Sequence, residues 1–281
     1  MKLRFTKMHG ISNDYVYIST FDQDVPDPEK LSIVLSDRRT GIGGDGIILV
    51  CPSDVADAKM RIFNADGSEG KMCGNGIRCV GKFVYDKGLV SADKTVITIE
   101  TLSGIKTLDL TVADGKMQSA RVDMGAAILN PADIPVKHHG SSMIDAPLIV
   151  DFTEWRVTAV SMGNPHCVTF VDDVDSLDLE KIGPSFENHP AFPDRVNTEF
   201  VKVIDDHTLQ MRVWERGSGE TWACGTGACA TAVAACLNGY CKKGEDITVR
   251  LRGGDLVINY TDDTVVMTGP AATVFEGEIE I

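Results

Sequence analysis

No stretch of this chain approaches the roughly 20 consecutive apolar residues that a bilayer-spanning helix needs. The opening segment, MKLRFTKMHGISNDY, has no apolar core of the kind a secretory signal carries. A cytoplasmic protein with no membrane partner is therefore expected. Positive charge is scarce. The 27 Lys and Arg against 41 Asp and Glu leave a net charge of -14, and a surface of that sign repels nucleic-acid backbones and anionic lipids. An acidic surface can still enclose a local cationic pocket, so acidic small molecules remain open as partners. CxxC is missing too. Among Cys51, Cys73, Cys79, Cys167, Cys224, Cys229, Cys236 and Cys241, the spacings of the glycine-flanked pairs Cys73/Cys79 and Cys224/Cys229 do not match zinc sites. Without an export signal these cysteines read as reduced thiols rather than a disulfide framework. No low-complexity tract or extended linker interrupts the chain.

What is present is a chain of 281 residues, ample for one large domain or two modest ones around a buried core. Strand patterns dominate it. β-Branched and aromatic residues alternate or run together at 15–20, 95–100, 107–112, 157–162, 198–204, 209–215 and 246–252. LVINYTDDTVVMTG at 256–269 reads as a hairpin around Asp262-Asp263, and Asp114-Gly115 is a hairpin turn signal. Three helices are predicted. Residues 27–39 have an N-terminal acid, a Pro and amphipathic spacing. Residues 74–88 place Ile77, Val80, Phe83 and Val84 on one side and end at Gly88, a C-cap residue. Residues 225–239 are small or apolar on every side, which requires burial. Residues 126–151 read as a Pro-containing irregular link.

The chain also repeats itself. Cys73 of MCGNGIRC and Cys224 of ACGTGACA lie 151 positions apart. That one offset lays RIFNADGSEGKMCGNG (61–76) over RVWERGSGETWACGTG (212–227), matching Arg61 to Arg212, Asn64 to Glu215 and Glu69 to Glu220. It also brings Asn13 onto Asn164 and Gly46 onto Asn197. VDMGAAI at 122–128 resembles VMTGPAAT at 266–273, at an offset of 144. Two copies of one β-rich unit are expected, related by a pseudo-twofold axis, with the two cysteine turns facing each other across an interdomain cleft of the kind that favours ligands.

The residue types suit proton transfer. A helix N-terminus stabilises a thiolate, and glycines on either side of the turn let an anion approach the backbone N–H groups. Two such turns would hold a substrate carboxylate and place one sulfur on each side of its α-carbon. One thiolate would remove the proton while the other thiol supplies one to the opposite face. The bland readings are a metal site, a redox disulfide between Cys73 and Cys224, or simple packing. Packing is the expectation for Cys51, Cys79, Cys229 and Cys236, in apolar surroundings. Asn-Pro in GNPH at 163–166 is turn chemistry first, but its alignment with Asn13 adds a functional reading. Glu215 and Arg216, close to Cys224, suit an ammonium and a carboxylate.

From MHGISNDYV at 8–16 to GPAATVFEGEI at 269–279 the chain resembles the diaminopimelate epimerase family. FNADGSE (63–69) with CGNGIRC (73–79) resembles its first half-site. GNPH, RVNTEFV (195–201), WERGSGET (214–221) and ACGTGACA (223–230) resemble its second. The resemblance implies an α+β fold of two pseudo-symmetric domains, each a β-barrel-like sheet wrapped round a central helix, with the active site in the cleft between them. It implies residues 1–125 plus 270–281 as one domain and 126–269 as the other, the final strand returning to the first. It implies interconversion of LL- and meso-2,6-diaminopimelate, a step toward lysine and cell-wall precursors, without pyridoxal phosphate or metal, by a homodimer. Cys73 and Cys224 match the acid–base pair. Gly74, Asn75, Gly225 and Thr226 match the cradle for the reacting carboxylate. Asn13, Asn64, Asn164, Asn197, Glu215 and Arg216 match groups that hold the amino groups and distal carboxylate, and His166 and Glu215 match residues that assist positioning. One departure stands out: some members carry Gln where this chain has Gly46. A related cofactor-free two-cysteine isomerase, such as a proline racemase relative, lacks a reason for the distal set Asn64, Asn197, Glu215 and Arg216.

Overall fold

The structure, a computed structural model, describes residues 2–281. In chain order the described residues form β1 (Lys2–Gly10), β2 (Asn13–Ser19), α1 (Pro28–Ser36), β3 (Gly46–Cys51), β4 (Ala58–Asn64), β5 (Glu69–Gly70), α2 (Gly74–Asp86), β6 (Val96–Thr101), β7 (Gly104–Ala113) and β8 (Lys116–Asp123). Then come β9 (Ala146–Val150), β10 (Thr153–Ser161), β11 (Pro165–Phe170), α3 (Leu179–Glu187), β12 (Asn197–Asp205), β13 (Thr208–Glu215), β14 (Gly219–Thr221), α4 (Gly225–Leu237), β15 (Asp246–Leu251), β16 (Gly254–Tyr260), β17 (Val265–Pro270) and β18 (Ala272–Glu280). The class is α+β, strand-rich as the sequence pattern requires. Two compact units divide the chain: Met1–Asp123 with Thr268–Ile281, and Met124–Met267. None of the helices in the described residues is long and apolar enough to cross a membrane.

In the first unit β1 pairs antiparallel with β2, β2 runs parallel to β3, and β3, β4 and β5 follow antiparallel. β4 then lies parallel to β6, which opens the antiparallel run β6–β7–β8. At β1's other edge sits β18, with Lys2 opposite Glu280 and His9 opposite Ala272. The second unit repeats the pattern. β10–β11 is antiparallel, β11–β12 parallel, β12–β13 and β13–β14 antiparallel, β13–β15 parallel and β15–β16 antiparallel, with β9 beside β10.

The repeat inferred from sequence is kept to the residue. Adding 151 to the bounds of β1, α1 and α2 gives those of β10, α3 and α4. The Arg61–Glu69 pair, 2.8 Å, recurs as Arg212–Glu220, 2.8 Å. α3 was not expected: Pro184 lies inside it and Asp178 makes no side-chain cap bond. The 151 offset from α1 was the signal for it.

α2 and α4 are the two centres. α2 packs against β1, β2, β3, β4, β6, β7 and β8, and α4 against β10, β11, β12, β13, β15 and β16. Enclosure on all sides is why α4 tolerates no polar face, and Ala228, Cys229, Ala230, Ala232, Val233, Ala234 and Ala235 are all fully buried. Both helices stop alike. Gly88 (φ 69°) and Gly239 (φ 77°) take the left-handed conformation that lets the next N–H bond back, Leu89 to Val84 at 3.0 Å and Tyr240 to Ala235 at 2.9 Å.

Candidate active site

α2 and α4 are each capped by a cysteine. Cys73, extended at φ -130°, accepts the Gly76 N–H on its sulfur at 3.3 Å, and Cys224, at φ -125°, accepts the Gly227 N–H at 3.3 Å. A thiol here does what Ser or Asp does at an ordinary N-cap, so the sulfur is held at the positive end of a helix dipole. Gly74–Asn75 and Gly225–Thr226 are the first residues of the two helices, and their backbone forms the end of each turn.

In the first unit the Cys73 thiol donates to Asn13 Oδ1 at 3.3 Å. Asn13 is itself fixed, because its Nδ2 donates to Asp45 Oδ2 at 2.7 Å. Asp45 belongs to a charged cluster. Arg38 Nη2 reaches Asp45 at 2.9 Å and Asp14 at 2.6 Å, and Lys7, almost buried, reaches Asp14 at 2.6 Å and Gly43 O. Burial raises the Asp14 carboxyl, but hydrogen bonds from Arg38 and Lys7 outweigh it and hold the group below its ordinary value. Asn75 is buried and accepts from Arg78 Nη2 at 2.9 Å, while Arg78, fully enclosed, also donates to Gly74 O at 3.0 Å and Pro270 O at 3.2 Å. Asn64 closes β4, donates to Ser68 Oγ at 3.0 Å and sits opposite Gly46. A Cβ on Gly46 would fall 2.1 Å from Phe63 O, so this backbone path admits no side chain here.

In the second unit Cys224 is 5% exposed. Its sulfur lies 3.6 Å from Thr226 Oγ1, to which Asn164 Nδ2 donates at 3.3 Å. His166 Nε2 lies 3.1 Å from Asn164 Oδ1, and His166 Nδ1 lies 2.7 Å from Glu199 Oε1. Asn197 Nδ2 donates to Pro165 O at 3.0 Å, and its Oδ1 accepts the Arg216 N–H at 2.9 Å. Arg216 Nη1 donates to Asp194 O at 2.9 Å, and Glu215 accepts from the Thr221 hydroxyl. Cys224, Asn164, His166, Asn197, Glu215, Arg216 and Thr226 each have a fixed hydrogen-bond partner, and Gly225 opens α4.

The thiols separate by environment. Burial pushes Cys79 up to about 11 and Cys236 up to about 12, which keeps both protonated at neutral pH. The polar neighbourhood of Cys241 in the sequence misleads, for it too is buried and raised to about 11. Cys224 is raised as well. Desolvation is the largest cause, Glu215 and Glu199 add to it, and the Thr226 and Gly227 hydrogen bonds only partly offset them. The helix end was expected to favour the thiolate, but here burial and two carboxylates win. Among the described residues no three His, Cys, Asp or Glu side chains converge as a metal would need.

The family model for diaminopimelate epimerase matches residues 5–130 and 158–274. The chain belongs to the diaminopimelate epimerase family. Similar diaminopimelate epimerases include that of Acetivibrio thermocellus, 55% identical over 99% of both chains, and that of Agathobacter rectalis, 56% identical over 99% of this chain and all of the relative. One from Methanococcus maripaludis is 54% identical over 99% of this chain and all of its own length. Solved structures share the fold at low identity. A hydroxyproline epimerase from Agrobacterium vitis superposes with a TM-score of 0.71 at 15% identity, covering 99% of this chain and 91% of its own. A PhzF-family phenazine biosynthesis protein from Bacillus anthracis gives 0.72 at 16%, covering all of both.

Within this diaminopimelate epimerase family member, Asp45 and Glu199 were not singled out from sequence. Asp45 stood next to Gly46, the residue matched to Asn197. Glu199 had a signal of its own, a lone carboxylate in the strand run TEFVKVI, two residues after Asn197.

Proposed function

We propose that this protein epimerises an α-carbon of diaminopimelate, interconverting the LL and meso forms, with Cys73 and Cys224 as a two-base pair. The observation that carries the reading is the duplicated cysteine cap: the same sulfur, the same N–H bond and the same glycines at one place in both copies of the repeat. One cysteine, as thiolate, takes the α-proton. The other, as thiol, gives its proton to the opposite face, so the configuration inverts and the two cysteines end with exchanged protons. The charge that develops on the substrate carboxylate during this transfer is met by backbone N–H groups at Gly74–Asn75 and Gly225–Thr226, donors already oriented by the helix ends. Asn13 and Asn164 stand beside the two sulfurs. Asn64, Asn197, Glu215 and Arg216 take the distal amino-acid end, and His166 with Glu215 assists positioning. No pyridoxal phosphate or metal enters this scheme.

The reading goes with a cytoplasmic enzyme of lysine and cell-wall precursor synthesis, and with the homodimer common in the family, which sedimentation would check. The test of function is incubation with LL-diaminopimelate in heavy water. Deuterium should enter one α-carbon as the meso isomer appears, and Cys73→Ala or Cys224→Ala should each abolish turnover in a folded protein. Absence of incorporation by reduced enzyme, or near-normal epimerisation by either variant, overturns the two-base scheme.

A further inference from the structure

The repeat supplies an internal control for the surroundings of the two cysteines. Gly76 and Gly227 are equivalent, each giving its N–H to a capping sulfur. Beneath Gly76 lies Ile48, whose Cδ1 is 2.7 Å from where a Cβ would stand. Beneath Gly227, at the position 151 residues on, lies Glu199, whose Oε1 is 2.7 Å from the same point. One turn rests on a methyl group and the other on a carboxylate.

Glu199 is an expensive residue in that place. It is 0% exposed, and among the described residues its Oε2 has no hydrogen-bond partner while Oε1 meets His166, also 0% exposed. Buried carboxylates without full partnership are costly and are kept for a reason other than packing. The point 2.7 Å from Oε1 is also 3.1 Å from Cys224 Sγ, which puts oxygen and sulfur within the roughly 6 Å over which one negative charge disfavours another. Other titratable groups face the sulfur or the carboxylate from the packed strands: Glu215 on β13 toward the sulfur, and His166 and Cys167 on β11 toward Glu199. A second connection is through bonds. The carboxylate holds His166 at Nδ1, 2.7 Å away, His166 Nε2–H donates to Asn164 Oδ1, and Asn164 Nδ2 donates to the Thr226 hydroxyl beside Sγ.

We infer that Glu199 is a positioning residue for the Cys224 turn: its buried carboxylate orders the His166–Asn164–Thr226 chain and keeps Cys224 the protonated member of the cysteine pair, the proton donor of the resting enzyme. The inference rests on the acid–base reading of Cys224, but its test does not need substrate. The full-length reduced protein is alkylated with iodoacetamide across pH, and the Cys73 and Cys224 peptides are quantified separately by mass spectrometry. In the wild type, Cys224 should be the later of the two to react as pH rises. Glu199→Gln keeps the shape and removes the charge. It should move the Cys224 labelling midpoint down by about one pH unit, roughly a tenfold faster reaction at a fixed pH below it, and leave the Cys73 midpoint in place. In the epimerase assay the same variant should lose kcat with KM little changed. A Cys224 midpoint that stays put, or that moves together with that of Cys73, overturns the inference. If Glu199→Gln does not melt cooperatively, the wild-type order decides alone, and Cys224 reacting first refutes it. Wild-type failure in the deuterium assay would instead refute the epimerase reading and leave the labelling result standing.

Discussion

Adding one methyl group at Gly76 and one at Gly227 should give opposite results, although the two glycines are equivalent in the repeat. Each lies in the first turn of a buried helix, where Ala is favoured over Gly by about 0.5–1 kcal/mol. At Gly76 the new Cβ meets Ile48 Cδ1 at 2.7 Å and Met60 Cε at 3.1 Å, both the far ends of flexible side chains. Turning them aside costs about 0.5–1.5 kcal/mol, so Gly76→Ala should fall within about 1 kcal/mol of the parent. At Gly227 the Cβ meets Glu199 Oε1 at 2.7 Å and the Cys224 sulfur at 3.1 Å. That carboxylate has nowhere to go without lengthening its bond to His166. A hydrogen bond to a charged group contributes about 1.5–3 kcal/mol, and overpacking adds about 1–3 kcal/mol. After the propensity gain the net loss is about 1.5–5.5 kcal/mol, a fall in Tm of roughly 3–22 °C at about 2–4 °C per kcal/mol. Calorimetry on both variants reads this directly, with a transition resolved for each unit if they melt apart. Gly227→Ala melting level with or above Gly76→Ala would refute the claim that the carboxylate is pinned.

Gly183→Ala should destabilise the second unit by more than about 2 kcal/mol, since its Cβ would lie 2.2 Å from the Trp214 ring, held by a 2.8 Å bond to Glu187; an unchanged melt would refute it. Asp14→Asn should cost about 3–5 kcal/mol by leaving the Lys7 ammonium without its carboxylate, read by urea unfolding. Because the folded-state pKa of Asp14 lies below its ordinary 3.8, its stabilisation is full above that value and is lost as pH falls through the lower one, so the parent should weaken below pH 3.8 more steeply than the Asn variant.

Much of the fold could be read from the chain because the repeat is nearly free of gaps, and a match found at the cysteines carries over to the elements around them. α2 and α4 were visible through their glycine caps and apolar content. β1 was harder to see. Its alternation of Leu3 and Phe5 inward with Lys2 and Arg4 outward becomes a strand only because β2 and β18 flank it. α3 carries a proline and no side-chain cap, so local propensity argues against it and the packing of Phe186 against Phe200 and Trp155 at 5.2–5.3 Å provides for it. In the site, residues in motifs with polar or glycine neighbours were legible. Glu199 showed only as a charge in a strand run; what makes it unusual is the absence of solvent around it, and strand periodicity alone does not reveal burial on both faces.

The pairing of β1 with β18 has a consequence for how the molecule is made. β18 leaves the ribosome roughly 150 residues after β8 has finished the other strands of its unit. At about 5–20 residues per second that is roughly 8–30 s. During that interval one edge of β1 shows its N–H and C=O groups to any neighbouring strand, the condition that invites intermolecular pairing. The second unit, whose strands are contiguous, is under no such delay. A nascent chain stalled before β18 should therefore present one finished unit and one open edge.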